Sequence, residues 1–191
     1  MSATCSESGK GLDKIKEDMK KLMNLDVLVG VPEDESARTD PDGEVVNNAQ
    51  LCYLHTNGSD LQHIPKRPII EPAIAAHKEE ISAQIKKVGE FALAGNTNKA
   101  NAQLKKVGIL GQNIIRSWFL DPRNGWPPNS QSTIKEKLLK TPGKLGRDIR
   151  AYVDAGGSLN DITGLEGMIH PLIDSGQLRK AMTYVIRDKN K

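Results

Sequence analysis

The strongest constraint on this chain is the run Ile64-Pro65-Lys66-Arg67-Pro68-Ile69-Ile70-Glu71-Pro72. Each proline locks its own backbone and pushes the residue before it toward extended geometry. The stretch up to Ile70 therefore cannot be helical and must cross the fold as an extended strut. Pro72 is tolerated in the first turn of a helix that the sequence predicts over residues 71–89. Arg67, which cannot lose its charge, sits on this strut. It either reaches a neighbour's carboxylate or makes the strut a rigid connector by pairing within its own subunit.

The segments on either side alternate between two hydrophobic periods. Leu12, Ile15, Met19, Leu22 and Met23 recur at helical spacing, which predicts an amphipathic helix over residues 11–24. The β-branched run LDVLVGV at 25–31, stopped by Pro32, predicts a strand. Residues 33–44 contain almost no apolar side chains and hold the turn Asp40-Pro41-Asp42-Gly43. They predict a solvated loop, either a hairpin tip or a segment ordered only on assembly. Helical character returns over 45–55, with Asn57-Gly58 as the stop.

Leu104, Val107, Gly111, Ile114 and Trp118 share one face of a helix predicted over 99–120. Gly108 and Gly111 each weaken it by about 1 kcal/mol relative to alanine, which points to close approach of another backbone. A turn-rich loop over 121–132 carries Trp126. Thr133 then opens a short helix, with Glu136 completing a capping box. Residues 143–168 give only a weak helical signal at 148–153, and 181–187 predict a terminal strand. The expected class is α+β: a small antiparallel sheet from 25–31 and 181–187, packed on the helices 71–89 and 99–120. It reads as one domain over 11–191 after a flexible stretch 1–10, with loop or arm insertions at 32–46 and 141–170.

Composition narrows the function. Aromatic residues are 4% of 191, a lean supply of core-filling side chains that suggests stability taken from partner subunits. The net charge of +3 is too even to argue for nucleic acid. Cys5 and Cys52 form no disulfide framework. Neither a leader nor an apolar run long enough for a membrane is expected.

Motifs of site chemistry are incomplete. Cys52-x2-His55 with His63 lacks the second ligand pair that a zinc site needs. Placing Gly43 sixth in a calcium loop puts Arg38 first and Ala49 twelfth, where carboxylates are required. Gly9-Lys10-Gly11 and Gly156-Gly157-Ser158 lack phosphate-loop spacing. The expectation is a non-enzymatic protein with no catalytic residue, cofactor or metal. The positive residues Lys105, Lys106, Arg116, Lys135, Lys137, Lys140 and Lys144 lack interleaved aromatics and read as solvated helix faces.

Two segments carry a family resemblance. Ala49–Ile74 combines a helix ending in His55-Thr56-Asn57-Gly58 with Pro65-Lys66-Arg67-Pro68-Ile69-Ile70-Glu71-Pro72-Ala73. The second combines Trp126-Pro127-Pro128-Asn129-Ser130 and residues 133–137 with Pro171-Leu172-Ile173-Asp174-Ser175-Gly176-Gln177-Leu178 and Thr183-Tyr184-Val185. Together, in this order, they resemble the phage tail-completion and neck proteins, the group of lambda minor tail protein Z and related virion morphogenesis proteins. Ile69 and Ile70 depart from it, standing where an aromatic often follows the strut, and the 143–168 connector is long.

The resemblance implies a structural virion protein of a tailed bacteriophage, assembled in the host cytoplasm. It would form a ring of six copies in the neck or upper tail that joins or completes the tail and the head-side connector. Implied partners are other copies, a connector or head-closure protein, and a tail-terminator or tail-tube protein. Genomic DNA would pass through the lumen without sequence-specific contact, and no membrane is involved. The rival expectation is a DNA-binding or packaging-associated factor using the lysine cluster.

Pro65, Arg67, Pro68, Trp126, Pro127, Leu172, Asp174, Gly176 and Leu178 are the expected assembly residues. Folding alone also accounts for part of this set. Asp174 can cap the next turn with Gln177 three residues on, and Gly176 permits a reversal. Trp126 is either an exposed anchor or a lid over its own core.

Overall fold

Amphipathic spacing dictates most of what forms. A computed structural model of the chain describes residues 9–37, 47–158, 162, 164 and 169–190. It is a mainly helical α+β fold with a two-stranded antiparallel sheet. The elements are α1 (Gly9–Met23), β1 (Leu25–Gly30), α2 (Asn48–Asn57), α3 (Ile70–Ala76), α4 (Lys78–Leu93), α5 (Thr97–Trp118), α6 (Gln131–Lys140), α7 (Gly143–Asp154), α8 (Gln177–Ala181) and β2 (Thr183–Asp188). A 3₁₀ turn at Glu33–Glu35 opens the polar loop expected at 33–44; the rest of that loop from 38 on, including Asp40–Gly43, lies outside the described residues, as do residues 1–8.

The chain, read as one domain, divides into two compact units. One comprises Met1–Pro32, Ile70–Ile115 and Met182–Lys191; the other comprises Glu33–Ile69 and Arg116–Ala181.

In the first unit α1 lies against α4, and β1 pairs with β2 in the register Asp26↔Arg187, Leu28↔Val185 and Val29↔Tyr184. Val88, Ala92, Ala100 and Val107 are buried there, with Met19, Leu22 and Leu104 packed around them. The helical stripes read from the sequence thus become one core. Asp18, 9% exposed, accepts a hydrogen bond from Thr97 Oγ1 at 2.7 Å, which satisfies a carboxylate that burial would otherwise penalise.

The glycine pair of α5 explains how the sheet sits on this helix. A methyl group on Gly108 would collide with the Tyr184 ring, and one on Gly111 would lie 3.0 Å from Val29 Cγ2. The close approach inferred from these glycines is real, but it is made by sheet side chains rather than by another backbone. Gly108→Ala should therefore lower stability by about 1–2 kcal/mol, since overpacking outweighs the gain in helix propensity. Gly89→Ala in α4, where nothing lies within 4 Å, should raise it by about 1 kcal/mol. Urea denaturation of both variants checks the contrast; a stabilised Gly108→Ala would show that the ring is free to move aside.

Three helical details differ from the sequence reading. The helix expected over 71–89 is two helices broken at His77, whose ring Nδ1 lies 2.9 Å from the Ala73 carbonyl. A side chain competing for a helix carbonyl in this way favours a break. The cap of α6 is Ser130, which accepts from Thr133 N, while Glu136 pairs with Lys140 instead of closing a capping box. Finally, α7 spans Gly143–Asp154, so much of the expected 141–170 arm is regular structure that packs Ile149 against Leu138.

Candidate assembly site

All nine expected assembly residues fall in the second unit, where the parts of the two resemblance segments up to Ile69 and from Trp126 to Leu178 meet. The strut crosses it extended from Ile64, and Ile69 ends it fully buried. Upstream, α2 starts with a true capping box, Asn47 with Gln50, and ends at Gly58, whose φ is +73°. A side chain on Gly58 would press on the Ile64 carbonyl and on Lys66, so glycine is required where the chain turns into the strut.

Arg67 joins the two segments. Its Nε and Nη2 donate to the Pro127 carbonyl at 3.1 and 3.0 Å, and Nη2 also donates to the Pro128 carbonyl at 2.9 Å. Its main-chain N–H donates to the His55 carbonyl at 2.7 Å. Arg67 is only 6% exposed, and burial pulls its guanidinium below its ordinary pKa. The expectation of an arginine held out to a neighbour is thus corrected to the alternative, pairing inside its own subunit. The rigid fork meets two carbonyls of a proline pair that have no N–H groups of their own to offer.

Trp126 closes the same junction from the other side. Its Nε1 donates to the Pro68 carbonyl at 2.9 Å, and its ring meets Phe119 edge-on at 5.7 Å and 89°. At 9% exposure it is the lid over its own core rather than an exposed anchor. The sequence reading missed Phe119, which is fully buried.

The third segment is held by a lysine. Lys137 Nζ donates to the His170 and Ile173 carbonyls at 2.8 and 2.5 Å, and Asn129 Nδ2 donates to the Ile169 carbonyl at 2.7 Å. Burial lowers the Lys137 pKa, Asp174 opposes that shift, and Arg67 adds to it. The turn that follows is capped by Ser175, whose Oγ accepts from Gln177 N at 3.4 Å, and not by Asp174, which is exposed. Gly176, with φ +75°, makes the predicted reversal, and Leu178 behind it is buried. Leu172 takes a φ of +60°, a strained value for its side chain. Of the nine residues, Pro65, Pro127 and Asp174 are exposed, while Arg67, Trp126 and Leu178 are buried.

The lysine cluster behind the DNA reading is largely engaged within the chain. Besides Lys137, Lys140 pairs with Glu136 at 2.6 Å and Lys144 with Asp148 at 3.0 Å.

His55, Asp174 and Ser175 line one small hollow of about 130 Å³. His55 Nδ1 is buried without a hydrogen-bond partner, so no relay from an acid through the imidazole to the serine is formed. No group of three metal-ligating side chains occurs among the described residues. No described helix is long and apolar enough to cross a membrane.

His55 gives this unit a pH dependence. Burial, and then the nearby Arg67 charge, lower its pKa below the ordinary 6.5. As pH falls through 6.5 the unfolded chain takes up a proton that the folded chain refuses, so stability is lost below that point. The loss should grow until the folded imidazole itself titrates. Melting temperatures at pH 7.5 and 5.5 should differ more for the native chain than for His55→Gln; equal differences would show that His55 carries none of the effect.

Comparison with protein-family models, with curated proteins and with solved structures finds no match to this chain.

Proposed function

We propose that this chain is a structural subunit of a tailed-phage neck or upper tail that acts by assembling into a ring. One observation carries the reading. The two segments that resemble the neck-protein signature lie about sixty residues apart in sequence and are joined in one unit through Arg67 and Trp126, while Lys137 ties the two parts of the second segment together. Contact between the two loops supports reading them as parts of one signature. Exposed Pro65, Pro127 and Asp174 at the rim of this junction are the positions that neighbouring subunits would meet. The rigid junction lowers the entropy lost when they dock, and repetition around a ring multiplies weak contacts.

The experiment is loss of function in the phage genome that encodes the chain. Cells infected without the protein should accumulate filled heads and tails that do not form infectious particles, and adding purified protein to the lysate should restore infectivity. Normal particles in its absence would refute the reading.

A further inference from the structure

We propose that the hollow between the ends of α5 and α8, walled by Arg116, Arg179 and Lys180, binds a phosphate group, either free or carried on a nucleic acid. All three residues belong to the second unit, and the inference holds whether or not the chain forms a ring.

Arg116 stands in the last turn of α5, and Arg179 and Lys180 stand in the last turn of α8. Arg116 Nη2 donates to the Lys180 carbonyl at 2.7 Å, and Arg179 Nε donates to the Arg116 carbonyl at 2.8 Å. Each arginine thus holds a main-chain carbonyl near the end of the other's helix, where a cation is favourable. The reciprocal pair fixes where both guanidinium groups sit.

Capping uses one donor of Arg179 and leaves the others. Among the described residues, Nε is the only Arg179 donor that meets an acceptor, and Lys180 Nζ meets none. Both side chains border a hollow of about 290 Å³, whose remaining described lining is Arg116, Ile173 and Gly176. None of these residues is an acid. Asp174 lines the neighbouring hollow with His55 and interacts with the charge of Lys137. Asp121, Glu136 and Asp148 pair with Arg123, Lys140 and Lys144.

Three like charges around one small space repel one another, and an anion that enters turns the repulsion into attraction. The planar fork of an arginine matches paired oxygens of a phosphate, and a lysine adds a flexible point charge. A carboxylate would engage one fork and leave the other cations unmet, whereas a tetrahedral phosphate offers oxygens in several directions at once. Both arginines are half-buried and Lys180 is exposed, so the hollow stays open to an entering ligand. The site is distinct from the basic cluster of Lys135, Lys140 and Lys144, none of which lines it.

The test uses the full chain, isotope-labelled for NMR and titrated with inorganic phosphate, with sodium chloride at matched ionic strength as the control for screening. Saturable shifts of the Arg116 and Arg179 Nε–H resonances are expected with phosphate and not with chloride. Lys180→Gln should weaken phosphate binding at least threefold at an unchanged melting temperature, because its side chain is exposed and its carbonyl still receives Arg116. Arg179→Gln should weaken it at least tenfold; if that variant loses structure, Lys180→Gln decides. Lys135→Gln, which changes an exposed lysine outside the hollow, should leave binding as it was. A short DNA duplex then separates the two sources of the ligand. Displacement of phosphate by the duplex assigns the site to nucleic acid, and failure to displace it assigns free phosphate. Shifts alike in phosphate and chloride, binding indifferent to Lys180→Gln, or binding weakened as much by Lys135→Gln would each overturn the proposal.

Discussion

Replacing Trp126 with alanine should destabilise the chain by about 3–5 kcal/mol, the largest single effect expected of any residue in the second unit. The ring is 9% exposed and rests edge-on against fully buried Phe119, so truncation opens a cavity that the proline-braced loop cannot collapse to fill. It also removes the Nε1 donor from the Pro68 carbonyl. Trp126→Phe separates the two contributions. It keeps most of the packing and loses the hydrogen bond, so it should cost about 1–2 kcal/mol. Equilibrium unfolding in urea measures both, and near-native stability of Trp126→Ala would mean that the ring packs on nothing essential.

Arg67→Ala should follow closely, at about 2–4 kcal/mol, because hydrogen bonds from a charged donor each contribute more than neutral ones. Three such bonds end on Pro127 and Pro128, and both carbonyls lose their donor together. Partial access to water at the exposed prolines keeps the figure from rising further. Arg67→Lys should recover little, since a single ammonium cannot reproduce the fork. A lysine variant as stable as the native chain would show that charge alone, without the paired geometry, holds the strut to the loop. Because these two residues act on one junction, the double variant should lose less than the sum of the single losses.

The parts legible in the sequence were those governed by a single local rule. Helical spacing placed α1 and α5 within a few residues, β-branched runs placed both strands, and Gly58 and Gly176 marked turns that only glycine makes easily. The small antiparallel sheet on two long helical stretches was readable for the same reason. What escaped was settled by side chains competing over distance. Nothing in residues 71–89 marks the break at His77, since it depends on the ring meeting a carbonyl. The cap of α6 fell to Ser130 because Glu136 had Lys140 within reach on the same face.

The junction was half legible. Its members were visible as motif residues, but Arg67 could have turned outward or inward until Pro127 and Pro128 were seen to offer it carbonyls. Lys137 was counted with a basic cluster, and only the folded chain shows it tying down His170 and Ile173. Proline density was the one available signal, because prolines offer acceptors without donors and so invite cations from elsewhere in the chain.

The most direct test is a cryo-electron reconstruction of the neck of particles made from the genome that carries this sequence. The chain should be found as a closed ring around the DNA path, with Pro65, Pro127 and Asp174 facing adjacent subunits and Arg67 still bound to Pro127 and Pro128 within its own. A neck in which no density fits this fold, or one in which it sits as a lone copy, would contradict the account.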